Sequence, residues 1–98
     1  MRTLLKVTIP VEAGNRAIKN GTLSRLMEGV TARLKPEAAY FYADHGARTM
    51  FFVFNMTDAS QVPAIVEPLF QGLDAAVLLT PVMNLDDLKK GLAEAGSV

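Results

Sequence analysis

The chain has 98 residues, half of them hydrophobic, and its ten lysines and arginines are balanced by ten aspartates and glutamates. This length predicts one domain over residues 1–98, and zero net charge argues against nucleic acid or an anionic membrane as a partner, because those surfaces attract strongly basic proteins. The absence of cysteine excludes disulfides and thiolate metal sites, and without a secretion signal in its first ten residues the chain is expected to be cytoplasmic.

The first third of the chain predicts a strand followed by a helix. Residues 4–9 alternate between apolar and polar side chains, and Pro10 ends this strand. Gly14 with Asn15 offers a helix cap, Gly21 is expected to delay or bend the first turn, and the helix ends before Pro36. Its apolar residues fall on one helical stripe: Leu23, Leu26, Met27, Val30 and Leu34.

The middle of the chain predicts a β-hairpin and a second helix. Residues 38–43 and 48–56 are rich in aromatic and aliphatic side chains, and the segment between them has turn chemistry. Ser60 is the predicted cap of the second helix, and Pro63 suits its first turn. Pro68 is expected to kink or shorten this helix, because proline removes a backbone hydrogen bond.

The last quarter predicts a fourth strand over residues 75–82 and a terminal helix. Asn84 followed by Asp87 resembles a capping box, and Gly96 ends the helix. One edge of this helix is apolar and carries Leu85, Leu88 and Leu92. The order of elements is βαββαβ plus a terminal helix, which predicts an α+β fold of the ferredoxin-like type with a four-stranded antiparallel sheet.

Alternation gives this sheet two different faces. One is wholly apolar and is the expected floor for the helices: Ala39, Phe41, Ala43, Met50, Phe52 and Phe54 from the hairpin, with Leu5, Val7, Ile9, Val77 and Leu79. The other mixes apolar and polar side chains: Leu4, Lys6, Thr8, Tyr40, Tyr42, Thr49, Phe51, Val53, Asn55, Ala76, Leu78 and Thr80.

The mixed face is too apolar for a solvated sheet and is expected to be an interface. Two copies that stack these faces would bury on the order of 800 Å² each, the size of a stable interface. The sequence therefore predicts a homodimer, with its dimer face formed by Leu4, Lys6, Thr8, Tyr40, Phe51, Val53, Leu78 and Thr80. The alternative is a monomer in which the terminal helix folds over this face.

Two clusters of polar side chains are candidate ligand-binding sites. On the mixed face, Tyr40, Tyr42, Thr49, Asn55 and Lys6 supply hydroxyl, amide and ammonium groups among apolar ones, as a small-molecule pocket does. The alternative is a dimer interior in which the tyrosines form structural hydrogen bonds.

The second cluster consists of Asn15, Arg16 and Lys19, expected in the opening turn of the first helix. Free N–H groups and the helix dipole favour an anion there. The alternative is that the two basic side chains are solvated and paired with Glu12.

Catalytic and metal-binding motifs are weak in this sequence. His45 is the only histidine and lies beside Asp44 and Gly46, which favours a turn residue over a proton shuttle or metal ligand. The carboxylates of Asp44, Asp86 and Asp87 have no metal-ligand spacing. We therefore expect no metal and no cofactor, and no residue is assigned as catalytic.

Three segments carry a resemblance to known proteins: residues 14–19 (GNRAIK), 34–41 (LKPEAAYF) and 80–84 (TPVMN). The chain resembles the dimeric α/β-barrel superfamily, in which two ferredoxin-like subunits stack their sheets, and these segments resemble a family of small uncharacterised bacterial proteins. The resemblance implies a homodimer. The superfamily includes cofactor-independent monooxygenases, lactone isomerases and haem-degrading enzymes, which usually depend on a histidine, a charged residue or a metal in a pocket between sheet and helices.

Three hypotheses of function follow. The first is a homodimeric module that binds a small, partly apolar molecule between sheet and helices. The second is a monooxygenase- or isomerase-like enzyme, in which Tyr40 or Tyr42 would donate a proton or hydrogen bond and Arg16 or Arg48 would hold an anionic substrate. The third is a structural or regulatory partner protein.

Overall fold

The computed structural model describes residues 1–96 and has an α+β fold with one open, antiparallel four-stranded sheet, as predicted. The strands are β1 (Arg2–Ile9), β2 (Ala38–Asp44), β3 (Ala47–Asn55) and β4 (Ala76–Pro81). The helices are α1 (Val11–Lys19), α2 (Thr22–Leu34), α3 (Val62–Leu73) and α4 (Leu85–Glu94). None of the described helices is long and apolar enough to cross a membrane.

The sheet has the order β2-β3-β1-β4, so β2 and β4 are its edges. Helices α1 and α2 connect β1 to β2 while β3 lies between those strands, and α3 connects β3 to β4 while β1 lies between them. The register pairs Lys6 with Phe51 and Leu78, and pairs Phe51 with Tyr40. Paired residues point to the same side of an antiparallel sheet, so the predicted division of side chains between two faces is confirmed.

The hydrophobic core lies between one sheet face and helices α1, α2 and α3. Phe52 at the centre of β3 is fully buried. The buried residues around it come from two strands and three helices, with Leu5, Val7, Ile9, Met50 and Phe54 below and Ala13, Ala17, Val30, Leu34, Ile65, Val66, Leu69 and Leu73 above. We call this side the covered face and the other side the open face.

The prediction of a single first helix is wrong. The helix begins at Val11 directly after Pro10, which acts as its cap residue, and Gly21 separates α1 from α2. Gly21 has a φ of 79°, in the left-handed region that suits glycine, and its carbonyl accepts a hydrogen bond from the Arg25 backbone. The glycine therefore allows a change of helix direction that the single apolar stripe did not reveal.

Two glycine substitutions are expected to change stability in opposite directions. Gly21→Ala should lower the free energy of unfolding by about 1 kcal/mol, because alanine is strained at positive φ. Gly29→Ala lies in α2, where an added Cβ meets no atom within 4 Å, so it should raise that free energy by up to about 1 kcal/mol. Urea unfolding of both variants measures the pair, and equal effects would contradict the stated role of Gly21.

The cap of the second predicted helix also differs from the prediction. Asp58, rather than Ser60, is the cap residue of a 3₁₀ turn (Ala59–Gln61) that leads into α3. The backbone N–H of Ser60 donates a 2.8 Å hydrogen bond to Asp58, and this bond lowers the pKa of the Asp58 carboxyl. Helix α3 continues through Pro68 to Leu73, so the proline does not shorten it.

The predicted hairpin is present and turns at two residues. His45 and Gly46 have φ values of 51° and 75°, the pattern of a type I′ turn. This turn fixes the register of β2 against β3, and it places Tyr40 and Tyr42 beside Phe51 on the open face.

Candidate ligand-binding and dimer face

The open face carries a cluster of aromatic side chains that no helix of the described chain covers. The rings of Tyr40 and Phe51 have centroids 5.4 Å apart, and those of Tyr42 and Phe51 are 6.1 Å apart. Tyr40 is 62% exposed although it lies within a strand. Within residues 1–96 neither tyrosine hydroxyl takes part in a hydrogen bond, so both are available to a partner or ligand.

Beside this cluster, the open face has a shallow hollow of ≈ 230 Å³. Its lining consists of Lys6, Thr8, Ala76, Val77 and Leu78 from the neighbouring strands β1 and β4. It therefore combines an ammonium group and a hydroxyl with aliphatic side chains, which suits a small ligand with one polar end.

Lys6 is held only loosely by its neighbours. Its Nζ lies 3.7 Å from a carboxylate oxygen of Asp44, beyond hydrogen-bond distance, and both side chains are partly exposed. The other oxygen of Asp44 accepts a 2.9 Å contact from Nδ1 of His45, whose side chain is almost fully exposed in the turn. Exposed ion pairs of this kind contribute little to stability, so Lys6 can exchange Asp44 for another acceptor at little cost.

Two of the other predicted ligand-binding residues already have partners in the fold. Thr49 is buried and its hydroxyl donates to the carbonyl of Ala47 at 3.2 Å. The Asn55 side chain accepts a hydrogen bond from the N-terminal amino group of Met1. The structure thus brings Tyr40, Tyr42 and Lys6 together on the open face, with two unbonded hydroxyls within residues 1–96 and an ammonium group loosely paired with Asp44. It assigns Thr49 and Asn55 to structural hydrogen bonds.

The cluster at Asn15, Arg16 and Lys19 does not lie where the sequence placed it. Because α1 begins at Val11, these residues occupy its middle and last turns, and the basic side chains lie near the helix C-terminus. A cation there is favoured by the helix dipole, so the argument for an anion at the opening turn of a helix does not apply to these residues.

The polar groups of that cluster have other neighbours in the chain. Arg16 lies 3.6 Å from Asp74 rather than pairing with Glu12, and Asn15 accepts a 3.1 Å hydrogen bond from Arg48. Arg48 approaches closely because Gly14 has no side chain, and an added Cβ would lie 2.6 Å from its Nη1. These contacts give Asn15 and Arg48 a structural role, because they join α1 to β3.

One strand departs from the predicted apolar floor. Ala39, Phe41 and Ala43 point to the covered side of the sheet, yet all three are exposed, and Phe41 is 59% exposed. Helices α1, α2 and α3 leave the covered side of β2 bare. The sequence could not show this, because alternation identifies a face but not how far the helices extend across it.

Sequence reasoning also missed two features that depend on distant contacts. A smaller apolar hollow of ≈ 100 Å³ lies between α2 and α3, and its lining includes Leu26, Val30, Ile65 and Pro68. Arg2 forms ion pairs with both Glu37 and Asp87, and the hydrogen bond that it donates to Glu37 raises the pKa of Arg2 above its ordinary value. Among residues 1–96, no group of three histidine, aspartate or glutamate side chains is arranged to hold a metal ion.

Comparison with known proteins adds no assignment: no protein-family model matches the chain, and no curated protein sequence does.

Proposed function

We propose that the chain is a homodimeric module of the dimeric α/β-barrel type, in which two ferredoxin-like subunits stack their open faces and bind a small, partly apolar molecule. The observation that carries this proposal is the aromatic cluster of Tyr40, Tyr42 and Phe51 on a sheet face without a helix. Support for the subunit type comes from the two β-α-β connections, each with a third strand between the connected strands.

The size of the open face suits a dimer interface. Four strands about 4.8 Å apart, with about seven residues each at 3.3 Å, give a face of about 19 by 23 Å in projection. Protruding side chains make the accessible area of this face larger than its projection, so the stacked pair would bury on the order of 800 Å² per protomer. The rival arrangement, with α4 over the open face of its own chain, has no support in the structure, because every residue of α4 is exposed.

The ligand is proposed to bind between the two sheets rather than between sheet and helices. Over β1 and β3 the covered face is filled by the apolar core, whereas Lys6, Thr8 and Leu78 line a hollow on the open face. Stacking would close this hollow, and a closed site strengthens an interaction with the Lys6 ammonium. The chemistry favours a ligand with an apolar body and an anionic or hydrogen-bond-accepting end.

Native mass spectrometry of freshly purified protein tests the proposal directly. A dimer that carries additional mass would support both the interface and the ligand. A dimer without added mass would leave the interface standing and contradict a tightly bound ligand. A monomer at micromolar concentration would overturn the proposed dimer.

Lys6→Met is expected to weaken the binding of an anionic, partly apolar probe. With 8-anilinonaphthalene sulfonate as the probe, the loss of one charged hydrogen bond should raise the Kd about tenfold or more. Lys19→Met is the matched control, since Lys19 lies on the exposed part of α1, and its Kd should not change. Fluorescence titration measures both variants, and a larger effect at Lys19 would place the anion site on α1 instead.

A further inference from the structure

Helix α4 is fully formed, but within residues 1–96 its apolar side packs against no other element. A capping box closes its N-terminus, where Asn84 accepts a hydrogen bond from the Asp87 backbone at 2.8 Å and Asp87 accepts one from the Asn84 backbone at 3.1 Å. No residue of α4 is buried. Its apolar side chains nevertheless share one side of the helix, and we call them the α4 stripe: Leu85, Leu88 and Leu92.

Such a helix needs a partner to be stable. Isolated helices shorter than about 12–15 residues are marginal in water, and most helical stability in proteins comes from packing of the apolar side. Helix α4 has ten residues. Its cap and the ion pair between Arg2 and Asp87 fix where it begins, but they leave the α4 stripe in water.

The sheet has the complementary deficit. On the covered side of β2, an apolar surface lies outside the reach of helices α1, α2 and α3. We call it the β2 strip, and it consists of Ala39, Phe41 and Ala43. The helix layer thus leaves one edge strand uncovered, and residues 1–96 contain one helix whose apolar side is also uncovered.

We propose that α4 of one protomer packs on the β2 strip of its partner, and that the partner's α4 packs reciprocally, so that each helix layer is completed by the other chain. This inference rests on the proposed homodimer. In a dimer with twofold symmetry the contact occurs twice and leaves no unpaired copy of either surface. The occupant of the β2 strip is therefore a second copy of this chain.

The dimensions of the two surfaces match. From Leu85 to Leu92 the α4 stripe rises about 10 Å at 1.5 Å per residue, and from Ala39 to Ala43 the β2 strip extends about 13 Å at 3.3 Å per residue. Because an aromatic side chain buries about 150–250 Å², docking would remove roughly 100 Å² of Phe41 from water in each protomer. This reciprocal packing, which we call the exchange of α4, would add to the area buried by the stacked open faces.

The topology favours the partner's strip over the strip of the same chain. Arg2 points to the open face, since it is paired with Asn55, and its ion pair with Asp87 holds the start of α4 on that side. Only residues 82–84 connect β4 to α4. To reach its own β2 strip, α4 would have to pass to the opposite side of the sheet. The partner's strip also faces away from the stacked faces, but β2 is an edge strand, so a helix that projects from one protomer past that edge reaches the partner's strip without crossing its own sheet.

A pair of neighbouring substitutions tests the exchange through the dimer dissociation constant. Leu92→Asp places a charge in the α4 stripe and should raise the Kd about 30-fold or more, since the charge would be buried at both symmetric contacts. Ala93→Asp introduces the same charge beside the stripe and should change the Kd less than about threefold. Both side chains are exposed in the monomer, so neither variant should unfold it. Equal Kd values for the two variants would overturn the exchange.

A paramagnetic label distinguishes exchange between chains from contact within one chain. The chain lacks cysteine, so Lys90→Cys offers a single labelling position on α4. In a mixture of labelled chains and ¹⁵N-enriched unlabelled chains, exchange predicts broadening of the Phe41 and Ala43 amides. A wild-type dimer whose β2 amides stay sharp in the mixture would overturn the exchange and leave the proposed dimer intact. A wild-type monomer would overturn both.

Discussion

Phe52→Ala is expected to lower the free energy of unfolding by about 3–5 kcal/mol, because it removes a fully buried aromatic ring and leaves a cavity. Phe52 lies in β3, between the edge of the sheet and β1, and pairs with Leu5 and Ala39. A domain of this size has a total stability of roughly 5–15 kcal/mol. The substitution should therefore remove a large share of that stability.

Chemical denaturation at a fixed protein concentration measures this effect. The concentration has to be held constant because dimerisation stabilises the folded chain by mass action. Phe70→Ala is the control, since Phe70 is exposed on α3 and its truncation should cost less than about 1 kcal/mol. Similar losses for the two phenylalanines would contradict the location of the core between the covered face and α3.

Leu78→Asp is expected to dissociate the proposed dimer. Leu78 is 50% exposed on the open face, beside Lys6, so a charge there is tolerated by the monomer. Stacking of the open faces would bury the carboxylate in both protomers, and a cost of about 2 kcal/mol or more corresponds to at least a 30-fold rise in Kd. Sedimentation equilibrium measures the change.

Ile18→Asp provides a control that is matched in exposure and in chemistry. Ile18 is 52% exposed, but it lies on α1, away from the open face. Its substitution should leave the Kd of the dimer within about threefold of that of the wild type. If Leu78→Asp and Ile18→Asp dimerise equally well, the open face is not the dimer interface.

Comparison of Leu78→Asp with Lys6→Met separates the dimer interface from the ligand site. Lys6 and Leu78 line the same hollow, so the aspartate at position 78 is expected to repel an anionic probe as well. Lys6→Met removes a charge instead of adding one, and the dimer should persist. A dimeric Lys6→Met protein with weakened binding would show that Lys6 contacts the ligand.

The candidate site was partly predictable because side-chain alternation is local. The period of two along β2 and β3 places Tyr40, Tyr42 and Phe51 on one face wherever the sheet lies. The sequence could not show that Thr49 and Asn55 have structural hydrogen-bond partners, since Asn55 binds the amino group of Met1, 54 residues away. The prediction that Asn15, Arg16 and Lys19 lie in the opening turn of the first helix was wrong for a related reason, because it depended on which residue begins α1.

Local chemistry determined much of this protein from the sequence alone. The Asn84–Asp87 capping box, the turn at His45 and Gly46 and the two sheet faces each depend on residues close together in the chain. Such features are encoded by short-range sterics and hydrogen bonds, which do not require knowledge of the rest of the fold.

Only the tertiary structure decided how these elements meet. It places β2 at the edge with Phe41 uncovered, brings Lys6 across the sheet towards Asp44, and leaves α4 without a packing surface. Each of these results depends on which strands pair and how far the helices extend over them. Those choices are made by contacts between distant parts of the chain, where burial of the whole apolar surface outweighs any local preference.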